Sequence, residues 1–341
     1  MTISPREKVL GQFKHREGPV PWLELGIDNG IACRILGREI ADATKNIEQN
    51  LKDRIELSLK LGIDGIGRDF FDVPTDHIIS STEQTWHDIP LVRAWEDLPG
   101  LKFPSIDEQE IRDYFKKAKE MVGDSNLCLF GAVTMCFDPA LRTAGFENIC
   151  LKLHEDREFV EAILDKYKEH NIKYVKLLNS IPEVDFIFVA EDIAYNSGLF
   201  ISPELFKEFL MPYYREITVE IKKPWVYHSD GDLSAVLPDL ISLGMTGIHP
   251  FDPAAIDIFK IKKEIGHRIT IMGNVDLRTT LVNSSLEEVK EDIGKLMRKC
   301  GTGGGYILSS ANSITDYVKT DNLLAMAKAK QYWNEKIYGE C

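Results

Sequence analysis

Residues 225–230 read Trp-Val-Tyr-His-Ser-Asp, a β-branched and aromatic run that ends in a His-x-Asp pair. Such a short apolar run is typical of a buried strand. About eight runs of this kind occur along the chain, each followed by a longer stretch with apolar residues at helical spacing. The others lie at 19–25, 65–70, 127–133, 184–192, 246–250, 269–276 and 305–310. Eight strand-then-helix units predict an α/β protein of the (β/α)8 barrel class.

The regular alternation indicates one domain that covers residues 1–341, because barrels of this class often exceed the usual domain length. One region departs from the pattern. Residues 72–104 are rich in Pro, Thr, Ser and Trp, which predicts an inserted ribbon or lid after the second strand. No low-complexity segment or repeat of fixed period interrupts the remainder.

The charge balance argues against polyanionic partners. Forty-one Lys and Arg residues stand against 54 Asp and Glu residues, giving a net charge of -13. An acidic protein without a basic patch gains no Coulomb or counterion-release energy from nucleic acid or from an anionic membrane surface. The sequence therefore predicts neither partner, and it has no apolar run long enough to span a bilayer.

The first residues lack the basic and apolar regions of a signal peptide, so we expect a cytoplasmic enzyme. The cysteines are scattered without a C-x-x-C pair, at Cys33, Cys128, Cys136, Cys150, Cys300 and Cys341. This spacing indicates neither a thiol zinc knuckle nor a redox dithiol. We expect reduced cysteines that serve mainly in packing.

A barrel carries its active site at the C-terminal ends of its strands, and here those ends are polar. They supply Glu24, Arg68, Asp69, Glu191, Asp192, His228, Asp230, His249, Asn274 and Asn312. A ring of acids at one end of apolar strands costs desolvation unless it binds a cation or a polar substrate. We therefore predict that these residues line the site, and that Tyr306 is an aromatic candidate for stacking on a planar ligand.

The strongest pair in this ring is His228 and Asp230. Residues two apart on a strand face the same side, so the two side chains can share one ligand. The pair fits a metal or proton-transfer site, although an isolated H-x-D spacing is more often explained by a structural His–Asp hydrogen bond at a strand end. Glu191 and Asp192 face opposite ways, so at most one of them is aimed at the centre of the site.

Several segments together resemble the uroporphyrinogen decarboxylase superfamily in order and spacing. They are Tyr-His-Ser-Asp-Gly-Asp at 227–232, Leu-Pro-Asp-Leu at 237–240, Gly-Ile-His-Pro at 247–250, Gly-Asn-Val-Asp at 273–276 and Gly-Gly-Gly-Tyr-Ile-Leu at 303–308. The resemblance is strong over residues 180–330 and weaker before them. It implies a (β/α)8 barrel, in agreement with the independent strand count.

The superfamily contains both decarboxylases and cobalamin-dependent methyltransferases, so the fold alone does not choose the reaction. The decarboxylases carry an Arg-Gln-Ala-Gly-Arg-like segment after the first strand, which binds the carboxylates of the substrate. Here that place reads Glu-Leu-Gly-Ile-Asp-Asn at 24–29. An acidic mouth repels a polycarboxylate, so the resemblance points to the methyltransferase branch.

The thiol-methylating members of that branch hold zinc with an H-x-C pair and a later Cys. This chain matches the His as His228, has Asp230 at the first Cys position, and has Asn312 near the second. Both sulfur ligands are missing. A harder nitrogen and oxygen site from His228, Asp230 and Glu191 is still able to hold zinc.

Oxygen ligands suit a methyl ether substrate, because the leaving alkoxide or phenolate must be protonated or bound by a Lewis acid as its bond to methyl breaks. The resemblance therefore implies the first methyltransferase of an O-demethylase system. Such an enzyme passes the methyl group of a methoxylated, aromatic small molecule to the corrinoid (cobalamin) of a separate carrier protein. We expect His228, Glu191 and Asp230 to be its catalytic residues.

Other functions remain open at this stage. They include a corrinoid-dependent methyltransferase that acts on an amine, thiol or folate, a decarboxylase of altered specificity, and a silent barrel kept as a binding module. The sequence also leaves the oligomeric state open, with a homodimer as one option.

Overall fold

The computed structural model of the protein describes residues 3–71 and 90–339. Short β-branched and aromatic runs form the strands, as their composition favours. They are β1 (Gly65–Phe70), β2 (Cys128–Thr134), β3 (Phe186–Ala190), β4 (Ala194–Tyr195), β5 (Gly198–Leu199), β6 (Trp225–Ser229), β7 (Gly247–Pro250), β8 (Thr270–Met272) and β9 (Tyr306–Ile307).

Seven of these strands form one parallel sheet in the order β1-β2-β3-β6-β7-β8-β9, while β4 and β5 pair as a small antiparallel hairpin. The sheet closes through the segment around Trp22. On one side Leu23 N–H donates to Leu308 O at 3.0 Å, and on the other Asp64 N–H donates to Trp22 O at 2.8 Å. The first predicted strand, 19–25, is thus a single bridge residue at Trp22 in the eighth position.

Most of the helices lie on the outside of the sheet, whereas α1 (Pro5–Gln12) packs against its interior. The remaining helices are α2 (Asn29–Leu36), α3 (Ile47–Leu61), α4 (Glu108–Val122), α5 (Phe137–Ala144), α6 (Phe146–Glu155), α7 (Arg157–Ser180), α8 (Pro203–Leu205), α9 (Met211–Thr218), α10 (Leu237–Ile241), α11 (Ile258–Ile265), α12 (Leu286–Leu296) and α13 (Thr320–Tyr338). Short 3₁₀ turns lie at Leu98–Gly100 and Gly123–Ser125, and π-helical turns at Phe206–Leu210, Leu277–Asn283 and Met297–Gly301. None of the helices in residues 3–71 and 90–339 is both long and apolar enough to cross a membrane.

The buried residues divide into two clusters because neighbouring side chains on a strand face opposite sides. Phe188 and Val226 belong to the inner cluster, inside the curled sheet, and Val189 and Tyr227 belong to the outer cluster, between sheet and helices. Helix α1 contributes Val9 and Phe13 to the inner cluster. This two-sided alternation decides which polar residues at the strand ends face the interior.

The predicted α/β class and parallel sheet are confirmed. Of the predicted insertion, residues 72–89 lie outside the described residues. Residues 90–104 run irregularly, with the 3₁₀ turn at Leu98–Gly100 as their regular element. The insertion as a whole stays a prediction.

Candidate active site

His228 lies at the end of β6 on the inner face, in register with Ala190 of β3. Asp192, two residues beyond Ala190, and Asp230, two residues beyond His228, continue on the same side of their strands. The three side chains meet there. His228 Nε2 is 3.8 Å from Asp192 Oδ1 and 3.9 Å from Asp230 Oδ1.

Hydrogen bonds fix the two acids relative to each other. The Asp230 backbone N–H donates to Asp192 Oδ1 at 2.9 Å, and the Asn312 amide donates to Asp230 Oδ2 at 2.6 Å. Burial raises the pKa of the Asp230 carboxyl to about 6, and the nearby charge of His228 opposes the shift. Asn312, predicted from its place in the sequence, is therefore the residue that orients Asp230.

The outer side of Asp192 faces a cation. Arg142 Nη2 lies 3.9 Å from Asp192 Oδ2, and its Nε donates to both carboxylate oxygens of Asp138 at 3.0 Å. Burial raises the pKa of Asp138 to about 6, against the influence of Arg142. Neither Arg142 nor Asp138 follows a predicted strand end, because both belong to α5, so sequence reasoning missed them.

This arrangement fits a divalent cation. One atom from each of Asp192, His228 and Asp230 lies within 4.8 Å of the others. Asp230 Oδ1 is buried and has no hydrogen-bond partner among the described residues, and an unpaired buried acceptor is costly unless it binds a ligand. Imidazole nitrogen and carboxylate oxygen are donors that zinc accepts, with three protein ligands leaving a fourth position open.

The predicted metal set is corrected in one member, Glu191. Its Oε1 accepts from the backbone N–H of Phe137 at 2.6 Å and from Tyr214 Oη at 2.9 Å. It thus faces the outer layer, toward the first turn of α5, as the alternation along β3 requires. Burial raises the pKa of Glu191 to about 8, so the carboxyl is mainly protonated at neutral pH. Asp192, predicted as a substrate-binding residue, takes the place beside His228.

His249 of β7 lies directly beside His228, with 2.7 Å between the two Nδ1 atoms. Its Nε2 is 3.1 Å from the carbonyl oxygen of Ser310, which can only accept, so Nε2 carries a proton. Burial holds the pKa of His249 well below its ordinary value, and the neutral ring then accepts at Nδ1. His228 accordingly carries its proton on Nδ1 and presents a free Nε2 to Asp192 and Asp230.

The chain of hydrogen bonds continues from His249 to Glu24. His249 Nε2 is 3.2 Å from Ser309 Oγ, and Ser309 Oγ is 3.4 Å from Glu24 Oε2. The Ser310 backbone N–H donates to Glu24 Oε1 at 3.0 Å, and the Trp22 indole also donates to this carboxyl. Burial raises the pKa of Glu24 to about 7 despite these donors.

The remaining predicted residues lie elsewhere. Asn274 follows β8 and donates to the Phe251 carbonyl at 2.5 Å. Arg68 faces outward and pairs with Glu110 of α4. Tyr306 is fully buried in the outer cluster, at the start of β9, so the structure does not bring it to the strand ends as predicted.

A separate cavity of about 590 Å³ lies between the segment after Glu24, helix α3 and strand β1, and Glu24 is the residue that it shares with the hydrogen-bond chain from His249. Asp69, at the inner face near the end of β1, lines it together with Glu24. Arg54 and Tyr114 also line it. Neither was predicted as a site residue, because a polar residue on an amphipathic helix ordinarily faces solvent.

The cysteines play no part in the cluster. The described ones, Cys33, Cys128, Cys136, Cys150 and Cys300, are free thiols, and none belongs to the group around His228. The group around His228 therefore offers one imidazole and two carboxylates, with Asp192 in place of the predicted Glu191.

A comparison with known proteins shows the family to which the chain belongs. The model of the family described as "Uroporphyrinogen decarboxylase (URO-D)" matches residues 87–333, well over half of the chain. The chain belongs to the uroporphyrinogen decarboxylase family. The resemblance inferred from the sequence is thereby confirmed.

Curated members of the family include proteins with different names. A methylated-thiol–coenzyme M methyltransferase of Methanosarcina mazei is 27% identical over 206 residues, which cover 60% of this chain and 53% of the relative. A methylcobamide:CoM methyltransferase of Methanosarcina barkeri is 25% identical over 175 residues, 51% of this chain and 49% of the relative. A uroporphyrinogen decarboxylase of Chlorobium chlorochromatii is 22% identical over 255 residues, 70% of each chain. The match thus spans about half the length of the two methyltransferases.

Among solved structures, a methyltransferase from Methanosarcina mazei superposes with a TM-score of 0.78 at 18% identity, over 97% of this chain and 99% of that one. At this identity the likeness establishes the family fold and no more. It agrees with the closed parallel sheet described above.

Proposed function

We propose that this family member is a corrinoid-dependent methyltransferase that removes the methyl group of a methoxylated, aromatic compound and passes it to the cobalt of a separate corrinoid protein. The observation that carries the proposal is the Asp192–His228–Asp230 cluster with its unpartnered Asp230 oxygen. The names of the two methyltransferase relatives support the methyl-transfer chemistry.

The reaction places one demand on the protein. The oxygen–methyl bond breaks while the methyl group bonds to cobalt, and the electron pair of the broken bond stays on the oxygen. Reduced cobalt supplies the pair for the new bond. The departing oxygen therefore gains a negative charge, which must be met by a proton or by a Lewis acid.

The cluster can meet that demand. Asp192, His228 and Asp230 would hold a zinc ion, which supplies Lewis-acid stabilisation of the departing oxygen when it is bound. His249 keeps the proton of His228 on Nδ1, and Asn312 keeps one oxygen of Asp230 occupied. Both contacts leave the free atoms, His228 Nε2 and Asp230 Oδ1, directed toward one point.

A methylated thiol is the second candidate donor, because one relative is named for thiol methyl transfer. The donor set argues against it. Zinc bound by thiolates is the usual activator of thiols in the branch that this chain resembles, and the cluster here offers one imidazole and two carboxylates. A harder site favours an oxygen leaving group over sulfur.

The decarboxylase alternative lacks a matching polycarboxylate site. In place of a cationic segment the chain has Glu24, buried and hydrogen-bonded to Ser310. The other expectations extend the proposal: a corrinoid carrier that docks over the strand ends, the 72–104 insertion as one wall, a single domain, a homodimer as one assembly, and a cytoplasmic location.

The test combines metal analysis with a donor panel. Protein loaded with zinc is mixed with a reduced corrinoid protein and, separately, with a methoxylated benzene, dimethyl sulfide and trimethylamine. We expect the corrinoid spectrum to change only with the methoxylated compound, and one zinc per chain. A change only with dimethyl sulfide would establish the thiol alternative, and no change with any donor would refute methyl transfer.

A further inference from the structure

The cavity that Glu24 lines has both apolar and polar walls. Leu57 of α3, Ile66 of β1 and Phe130 of β2 line it, and its volume of about 590 Å³ lies within the range of small-molecule sites. Arg54 of α3 also lines it. Such a cavity recognises a small apolar body and fixes it with a few placed polar contacts.

Among the lining residues, Arg54 indicates most directly which kind of ligand the cavity binds. Its Nη1 donates to the Ile27 carbonyl at 2.7 Å and its Nη2 to Asn29 Oδ1 at 2.5 Å, both neutral acceptors. No carboxylate in residues 3–71 and 90–339 comes within 4 Å of its nitrogens. Burial lowers the pKa of Arg54, with Tyr114 and Asp69 opposing the shift. The guanidinium is thus taken partly out of water without a paired anion.

The neighbouring Arg68 differs. Its two terminal nitrogens donate to the two carboxylate oxygens of Glu110 at 2.8 and 2.9 Å, and its guanidinium lies 4.6 Å from the ring centre of Tyr114. A bidentate ion pair of this kind matches the charge of the guanidinium with an anion. Arg54 uses two of the five N–H donors that a guanidinium carries, so three stay available for a planar anion.

The other charges around the cavity limit what that anion can be. Asp69 and Asp42 are exposed carboxylates that line the same cavity, and they repel a second anionic group. Glu24 carries only part of a negative charge at neutral pH, because burial raises its pKa to about 7. The charges therefore suit one carboxylate next to Arg54, with the rest of the molecule neutral.

We propose that this cavity binds a small aromatic molecule through a single carboxylate held by Arg54. Phe130 and Tyr114 supply aromatic surface for the ring. Combined with the proposed function, on which this step rests, the methyl donor is a methoxylated benzoate. Its carboxylate would be held by Arg54 of α3, and its methoxy group would have to reach the strand ends that carry His228.

The test compares a charged ligand with its neutral analogue of the same shape. Binding of methoxybenzoate and of methoxybenzamide is measured by calorimetry to the parent, Arg54→Met, Arg54→Lys and Arg112→Met. Arg112 is the matched control, since it lies on α4 in contact with Glu108 and does not line the cavity.

In the parent and in the Arg112 variant, the benzoate should bind at least about tenfold tighter than the benzamide, a difference of about 1.4 kcal/mol. Arg54→Met should remove this preference while leaving benzamide binding within a few-fold, and Arg54→Lys should restore part of it. Thermal unfolding of each variant checks that the fold is kept. Equal binding of acid and amide to the parent, or an unchanged preference in Arg54→Met, overturns the proposal.

These measurements need neither zinc nor a corrinoid protein, so they separate the two proposals. Arg54-dependent benzoate binding without methyl transfer refutes only the proposed reaction. Methyl transfer from a methoxylated benzene, together with an acid-over-amide preference that is absent in the parent or unchanged in Arg54→Met, refutes only the carboxylate site.

Discussion

Two regions at the same end of the sheet are built in opposite ways. Around His228, acids and imidazoles are linked to one another, and the free atoms converge on one point. Around Arg54 the walls are both apolar and polar, and one cation lacks a paired anion among the described residues. The first region is organised to hold a positive charge and the second to hold a negative one. Under the two proposals, this division lets a single acidic protein bind a metal in one region and an anionic substrate in the other.

The largest expected effect comes from removing the imidazole of the first region. His228→Ala should lower methyl transfer by at least about 10²-fold, as is typical of losing a positioned acid or a metal ligand, and should lower bound zinc. Turnover with the methoxylated substrate and metal content measure it. The matched control is His267→Ala, an exposed histidine outside both regions, which should keep parent activity. Near-full turnover in His228→Ala would show that the cluster is not the catalytic centre.

The next effect separates two adjacent acids. Asp192→Asn should weaken zinc binding by more than about 100-fold, beyond the 10–100-fold typical of losing an outer partner of a ligand. Glu191→Gln should leave zinc binding within a few-fold, because that carboxyl faces α5 and is mainly protonated at neutral pH. Competition with a metal-binding dye gives both affinities. The reverse ranking would restore Glu191 to the metal site.

A smaller effect is expected from the residue that orients His228. His249→Ala should lower zinc affinity roughly 10–100-fold, since loss of the partner at Nδ1 releases the ring and its tautomer. His249→Gln, which can still accept at this position, should recover most of the loss. The nitrogen shifts of His228, measured by NMR, report the tautomer directly. If His249→Ala left both the affinity and those shifts unchanged, His249 would be a packing residue only.

The smallest effect concerns Glu24, which connects the two regions. Its pKa is raised from 4.5 to about 7 in the folded protein, so the folded state binds more protons than the unfolded state between these values. The free energy of unfolding should therefore fall as pH rises, by about 2 kcal/mol between pH 5 and pH 8.

Glu24→Gln removes the titrating group and should flatten this part of the profile by about that amount. Urea unfolding of the parent and the variant at several pH values measures the difference in slope. Parallel profiles for the two proteins would mean that Glu24 keeps an ordinary pKa despite its burial.

Much of the site could be predicted from the sequence, and the wrong placement of Glu191 in the metal set shows how such a prediction can be improved. The His228–Asp230 pair and Asn312 follow strand ends, and they meet as their spacing predicts. Counting residues along the strand shows which of Asp192 and Glu191 faces the interior of the sheet. Phe188 is an inner residue, and steps of two from it reach Asp192, whereas Glu191 falls on the outer face.

Tyr306 and Arg68 are the opposite case, because the same alternation turns their side chains away from the interior. Both stand near a strand end in the sequence, but each faces the helical layer, Tyr306 in the outer cluster and Arg68 against Glu110. Nearness to a strand end therefore does not make a site residue, unless the alternation also turns its side chain inward.

The sequence by itself determined the α/β class, the approximate strands, the family and the polar character of the strand ends, because these depend on local composition, period and motif spacing. Only the tertiary structure decided which polar groups pair. The His228–His249 contact joins residues from neighbouring strands. That Arg54 has no carboxylate partner among residues 3–71 and 90–339 depends on where Glu110, Asp69 and Asn29 lie around it. Pairing of charges and hydrogen bonds is set by distances across the fold, and a linear pattern does not contain those distances.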